Sequence, residues 1–268
     1  MTFNASDYRR LFDLSNRIAL VVGGASGIGQ AGAIGLADFG ATSVVADINF
    51  EGAQVTAAEI VRRGARATAR AVDTRDTKNV DRLIDDVVKE FGGIDILLAM
   101  PAINIRKRLI DYTDEEFDNV IDLNLKGTFR LARAVGRVMA KQGRGSMILM
   151  SSMRSTHVEP GQSIYGSTKA AINLMTRGLA SEMGQHNVRV NTLAPGIIAT
   201  PLTRPIRDNA SWNEALEKHT VFERWAEPSE MVGPIVFLAS DASSYVTGTT
   251  LFADAGWTVI DGRYLPPV

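Results

Sequence analysis

The sequence contains no cysteine. That excludes disulfides, thiolate metal sites and a cysteine nucleophile, and it fits a reducing compartment such as the cytoplasm. Histidine is nearly as scarce: His157, His186 and His219 are the only three, and their spacing is that of no metal-ligand set. No apolar run approaches the roughly 18 residues that cross a bilayer. The opening segment, MTFNASDYRRLFDLSNR, lacks the continuous apolar stretch of a signal peptide. The formal net charge is −1, which leaves no basic field to hold nucleic acid or an anionic membrane. The expectation is a cytoplasmic protein whose partner is a small molecule.

What remains is ordinary globular usage, 45% hydrophobic and 22% charged over 268 residues, enough chain for one large core. Short apolar runs at 18–22, 42–46, about 66–72, 94–99, 146–150, 188–193 and 249–252 read as strands. Helical patterns fall between them, after Gly29 and at about 50–63, 76–91, 114–141, 163–184 and 228–239. In the third of these Val80, Leu83, Ile84, Val87 and Val88 recur at spacings of three and four. The strand runs are continuously apolar, as expected when both sheet faces are covered. The pattern predicts an α/β fold, a single-domain Rossmann-like, doubly wound parallel sheet flanked by helices. No linker or repeat divides it, so residues 1–268 read as one domain, with an arm at 1–16, a less regular segment at 197–226 and a tail at 258–268.

The first strand run ends in Gly23-Gly24-Ala25-Ser26-Gly27-Ile28-Gly29. Ligands of such sheets bind beyond the carboxyl ends of the strands. Glycines there let main chain approach a pyrophosphate, and the following helix N-terminus supplies N–H groups and a positive dipole end. The spacing is not GxGxxG, and a plain strand–helix turn is the competing reading. Asp47 ends the second run 18 residues past Gly29, near the ~20-residue offset at which an acid takes the ribose 2′-hydroxyl. A carboxylate repels a 2′-phosphate, and no Arg or Lys stands at Ser26 or Ile48 to offset it. The expected cofactor is therefore NAD, with helix capping by Asp47 or Asn49 as the competing role. Asp73, with Thr74 beside it, ends the third run and either faces the adenine or serves the loop.

Tyr165 and Lys169 lie four residues apart, on one face of a helix. A phenol with a pKa of about 10 is a poor base near neutrality. A neighbouring ammonium and an oxidised nicotinamide ring both favour the phenolate. Tyr165 then takes an alcohol proton as hydride leaves, or donates one in reverse. Ser152, 13 residues earlier at the end of the preceding strand run, is placed to hold the substrate oxygen.

With these residues in place, the chain resembles the short-chain dehydrogenase/reductase family over about residues 15–257. VGGASGIG is similar to the family's TGxxxGIG, with Val22 where Thr is usual. Tyr165 and Lys169 match its YxxxK, Ser152 its catalytic serine, and Asn124 in DLNLKGTF its tetrad asparagine. The resemblance implies that Asn124 holds a water relaying protons from Lys169. Pro195-Gly196 match the motif after the sixth strand, and Ile198 and Thr200 fall where the family contacts carboxamide and phosphates. It also implies a lid over the substrate at 197–226 and a homotetramer, onto whose neighbouring subunit the tail could pack. One departure stands out: Ala99-Met100-Pro101-Ala102 replaces NNAG, and Asn104 is the candidate to recover the lost hydrogen bond.

The stretch RWAEPSEMVGPIVFLASDASSYVTGTT resembles the sugar-acid and polyol dehydrogenases of that family, such as gluconate 5-dehydrogenase, and less closely its 3-oxoacyl-carrier-protein reductases. The resemblance implies a secondary alcohol or ketone of a sugar, sugar acid or polyol. Arg154 and His157 follow Ser152, and Arg106-Lys107-Arg108 follow the fourth strand run. A guanidinium fits a carboxylate with paired hydrogen bonds. Arg106, Arg154 and His157 are thus candidate substrate contacts alongside Ser152 and Tyr165, against a solvated run for 106–108 and a surface role for the other two. Trp212 and Trp225 either stack on a sugar or pack. The alternatives are a carrier-linked 3-oxoacyl reductase and, from another class, a non-catalytic NAD-binding regulator.

Overall fold

The apolar runs form β1 (Ile18–Val22), β2 (Thr42–Asp47), β3 (Ala67–Ala71), β4 (Ile96–Ala99), β5 (Gly145–Met150), β6 (Val188–Pro195) and β7 (Thr250–Ala253) in a computed structural model that describes residues 7–260. They pair into one seven-stranded sheet in the order β3-β2-β1-β4-β5-β6-β7. Every pairing is parallel, so each connection crosses a face of the sheet. The chain walks outward from β1 to β3, then returns to β4 on the other side of β1. A crevice opens where the order reverses, beyond the carboxyl ends of β1 and β4.

Two cores result, one on each face. On one face α3 (Thr77–Phe91), α5 (Thr128–Gln142) and α6 (Ser163–Met183) bury Val80, Leu83, Val87, Leu131, Val135, Met139 and Ile172. On the other, α1 (Gly27–Asp38), α2 (Phe50–Arg62) and α9 (Val232–Ala239) bury Leu36, Ile60, Ile235 and Leu238. Each such side chain contributes about 1.5–3 kcal/mol by leaving water. The amphipathic period of α3 is bounded by chemistry its sequence carries. Asp76 accepts from the Lys78 amide at 2.8 Å, and Gly92 closes the helix with φ of 83°.

The structure departs from the sequence reading at three places. β3 is half-buried, and exposed at Ala71, rather than covered on both faces, because it is the sheet edge. The helix expected at 114–141 is not uniform. α4 (Asp114–Val120), opened by a capping box of Thr113 and Glu116, widens into a π-helical stretch at Ile121–Gly127 before α5 begins. Within that stretch the carbonyl of Asn124 accepts from the Thr128 hydroxyl at 2.7 Å. The segment 197–226 holds two short helices, α7 (Arg204–Arg207) and α8 (Ala210–Glu217). Their Ile206 and Leu216 pack with Met153, Ile197 and Trp257 as a third, smaller core.

Of the expected arm, residues 7–16 are described; a short turn at Tyr8–Phe12 precedes Leu14, which is buried and bonds the Phe39 carbonyl at 2.8 Å. Residues 1–6 of the arm and 261–268 of the tail lie outside the described residues. No helix among the described residues is long and apolar enough to cross a membrane.

Candidate active site

A cavity of about 440 Å³ occupies the crevice. Its floor is the turn after β1. Gly23 has φ of 90°, and a Cβ on Gly29 would fall 2.0 Å from the Gly23 carbonyl oxygen. Only glycine permits this packing, so main chain lines the space at close range. The Ser26 side chain makes no capping bond, which leaves the first-turn N–H groups of α1 to a ligand. Gly23, Ser26, Gly27, Ile28 and Gly29 all line the cavity. So do Asp73, Thr74, Pro195, Gly196, Ile198 and Thr200, so the residues expected around a dinucleotide converge on one space.

Asp47 lies at the end of β2 on the same wall. One carboxylate oxygen accepts from the Ala25 amide at 3.0 Å and the other from the Asn49 amide at 2.9 Å. Asn49, not Asp47, caps α2, through the Gly52 amide at 3.0 Å. Asp47 therefore fixes the glycine turn to the strand end and retains one acceptor lobe on each oxygen. Ile48 beside it is exposed, so the neighbouring position offers no cation.

At the other end of the cavity stand Ser152, Tyr165 and Lys169. Helix α6 sets the last two on one face, and Lys169 is wholly buried, its ammonium donating to the Met150 carbonyl at 2.9 Å. Burial lowers its pKa to about 8. The ammonium nitrogen is 5.5 Å from the centre of the Tyr165 ring. The sequence reading expects Lys169 and a bound nicotinamide ring together to lower the phenol; in the protein alone the direction is upward. Burial raises the Tyr165 pKa, while the Ser152 hydroxyl and the Arg106 and Arg154 guanidiniums pull it down without prevailing.

Asn124 is buried outside the cavity lining. Its side-chain oxygen accepts from the Ile103 amide at 2.8 Å, and its nitrogen donates to the Ile103 carbonyl at 2.9 Å and the Thr168 hydroxyl at 3.3 Å. The loop that replaces NNAG is thereby held from outside. Met100 also bonds the Val22 carbonyl at 2.9 Å, and Ala102 keeps a negative φ. Asn104 does recover a bond, with a different partner: its nitrogen donates to Gln162 at 2.8 Å.

Of the candidate substrate contacts Ser152 and Tyr165 line the cavity, whereas Arg106, Arg154 and His157 sit outside its lining. Arg106 and Arg154 share Glu159, at 3.2 and 2.5 Å. His157 instead lies 3.0 Å from the Thr156 hydroxyl. Trp212 and Trp225 both pack against the third core, and the Trp225 indole donates to Asn213 at 2.7 Å. Sequence reasoning missed Ile103, Thr168, the Met150 carbonyl and Glu159. Main-chain partners carry no residue signal, and the Pro160-Gly161 turn after Glu159 does not say which cations it meets.

A family model described as enoyl-(acyl carrier protein) reductase matches residues 23–258. The chain is 32% identical over 249 residues to the 5-keto-D-gluconate 5-reductase of Escherichia coli strain K12, covering 93% of this chain and 98% of the other. It is 34% identical over 246 residues to the 3-oxoacyl-(acyl-carrier-protein) reductase of Thermotoga maritima, covering 92% and 99%. Its structure is similar to that of a gluconate 5-dehydrogenase from Burkholderia cenocepacia J2315 in complex with NADP and tartrate. There the TM-score is 0.90 and identity 35%, over 93% of this chain and 98% of that one. Fold, glycine cradle and these likenesses define a nicotinamide-dinucleotide oxidoreductase acting on CH–OH groups. The chain belongs to the short-chain dehydrogenase/reductase family.

Proposed function

We propose that this enzyme moves a hydride between NAD and a secondary alcohol or ketone of a sugar, sugar acid or polyol, with Tyr165 as general acid and base. The observation that carries the reading is the convergence of Ser152, Tyr165, Lys169, the glycine turn and Asp47 on one cavity. A bound nicotinamide ring accepts or supplies the hydride. The chain's own residues handle the proton and the geometry. Ser152 holds the substrate oxygen, and Tyr165 gives it a proton in reduction or takes one in oxidation. Lys169, anchored on Met150, steadies the phenolate. Any relay onward needs a water held on the Asn124 carbonyl, whose other lone pair takes the Thr128 hydroxyl, since its side-chain amide is engaged by Ile103 and Thr168. Asp47 favours NAD by repelling a 2′-phosphate, in contrast to the Burkholderia neighbour, which was crystallised with NADP.

Arg106 and Arg154, whose charges act on the Tyr165 phenol, favour an anionic sugar. The segment 197–226 serves as the lid. Exposed Phe129 and Leu174 on α5 and α6 suit the homotetramer, which sedimentation tests. The Thermotoga relative favours a second reading, a carrier-linked 3-oxoacyl reductase.

One assay separates them. Sugar acids and polyols are offered with NAD and with NADP, and a 3-oxoacyl thioester with NADH and with NADPH, while nicotinamide absorbance is followed. Turnover of a sugar acid or polyol with NAD, abolished by Tyr165→Phe, is expected. Activity confined to the thioester with NADPH overturns the reading, and activity that survives Tyr165→Phe overturns the role of the phenol. Because Tyr165 must be ionised to take a proton and protonated to give one, oxidation gains with rising pH while reduction does not.

A further inference from the structure

Glu159 is the meeting point of two loops. Its Oε1 lies 3.2 Å from Arg106 Nη1, on the loop after β4, and its Oε2 lies 2.5 Å from Arg154 Nη2, on the loop after β5. Gln162 donates to Oε2 and in turn accepts from Asn104 at 2.8 Å. The main chain closes the same junction, the Lys107 amide donating to the Gly161 carbonyl at 3.0 Å. Each guanidinium is covered on one face by an aromatic ring: Arg154 lies 4.9 Å from Trp257 and Arg106 5.0 Å from Trp212. The Arg154 and Glu159 side chains are only 7% and 15% exposed, so water screens this cluster weakly.

The neighbouring charges do not enter the cluster. Lys107 is paired with Glu116 at 2.9 Å, and His157 faces Thr156. The Arg154 amide donates to the Ser152 hydroxyl at 3.1 Å, so the cluster abuts the cavity at its serine, and its two guanidiniums and one carboxylate leave a single positive charge there besides the Lys169 ammonium. We propose that Glu159 determines substrate specificity by charge: it cancels one of the two guanidinium charges, so that the site takes a substrate bearing one negative charge and discriminates against two. This deepens the reading of an anionic sugar substrate and rests on Tyr165 being the reacting group.

The test is binding, which needs no turnover. L-threonate and tartrate, four-carbon hydroxy acids with one and two carboxylates, are titrated calorimetrically into enzyme saturated with NAD or NADP, whichever it binds. In Glu159→Gln the charge is lost and the shape kept, and the preference for tartrate over threonate rises about tenfold, as expected for one uncompensated charge at close range. In Glu159→Gln with Arg154→Met the count returns to one, and the preference returns to the wild-type value. Glu159→Asp, which keeps the charge, leaves the preference unchanged and guards against a fold defect in the other variants. An unchanged ratio in Glu159→Gln, a raised ratio in the double variant, or failure of both acids to bind the wild-type enzyme overturns the proposal. If the ratios move as stated but no sugar acid is oxidised, the functional reading fails and the charge gauge stands.

Discussion

The side-chain amide of Asn124 grips the main chain of Ile103 at both ends, accepting at 2.8 Å and donating at 2.9 Å. A helix thus holds a loop that has lost the family's own asparagine. The π-helical widening at Ile121–Gly127 places this residue, as such widenings often do at functional positions. Asn124→Leu removes both bonds and leaves the Ile103 amide and carbonyl without these partners. A loss of about 2–4 kcal/mol is expected, read from the urea midpoint, together with weaker dinucleotide binding as the loop lining the cavity loosens.

Lys169 carries a pH signature. Its folded pKa of about 8 lies below the 10.5 of the free side chain. Between about pH 8 and 10 the unfolded chain binds more protons, so this group makes stability rise with pH. Above pH 10 Tyr165 opposes it, since its raised pKa keeps the folded phenol protonated while the unfolded one ionises. Relative to Lys169→Met, the wild-type protein is expected to gain about 2–3 kcal/mol from pH 7 to pH 10. Equal gains in both, measured by denaturant titration, would contradict a buried ammonium.

Asp47 accepts from two amides and, on the proposed reading, repels a 2′-phosphate, so its removal is expected to have two effects. In Asp47→Ala the Ala25 and Asn49 amides lose their acceptors, at a cost of about 1–2 kcal/mol. Repulsion of the 2′-phosphate is lost as well, and the NADP-to-NAD ratio of kcat/KM should rise about tenfold. Steady-state assays with both cofactors check this. A ratio that stays put would leave Asp47 only its structural role.

Gly29 tolerates no side chain. An alanine Cβ would meet a main-chain oxygen, not a side chain that can turn aside. Gly29→Ala should lose about 1–3 kcal/mol and bind NADH at least tenfold more weakly, measured by melting temperature and nucleotide fluorescence.

Local patterns were readable where the chemistry is local. Glycine spacing, the four-residue step from Tyr165 to Lys169, and apolar runs each reflect contacts between near neighbours in the chain. The helix expected at 114–141 hides a change of period that no apolar spacing marks. The upward push of burial on the Tyr165 phenol in the protein alone is likewise not marked in the sequence, because it depends on how distant segments cover the side chain.

The sequence by itself determined the alternation of strand and helix, the glycine cradle, the acid at the end of β2 and the placing of Tyr165 and Lys169 on one helix face, because each depends on residues a few positions apart. Tertiary structure alone decided that Lys169 is buried on Met150, that Asn124 secures a loop 21 residues away, and that Glu159 joins Arg106, 53 residues before it, to Arg154. Such contacts depend on how the sheet folds distant segments together, and on the loss of water around charges once they meet.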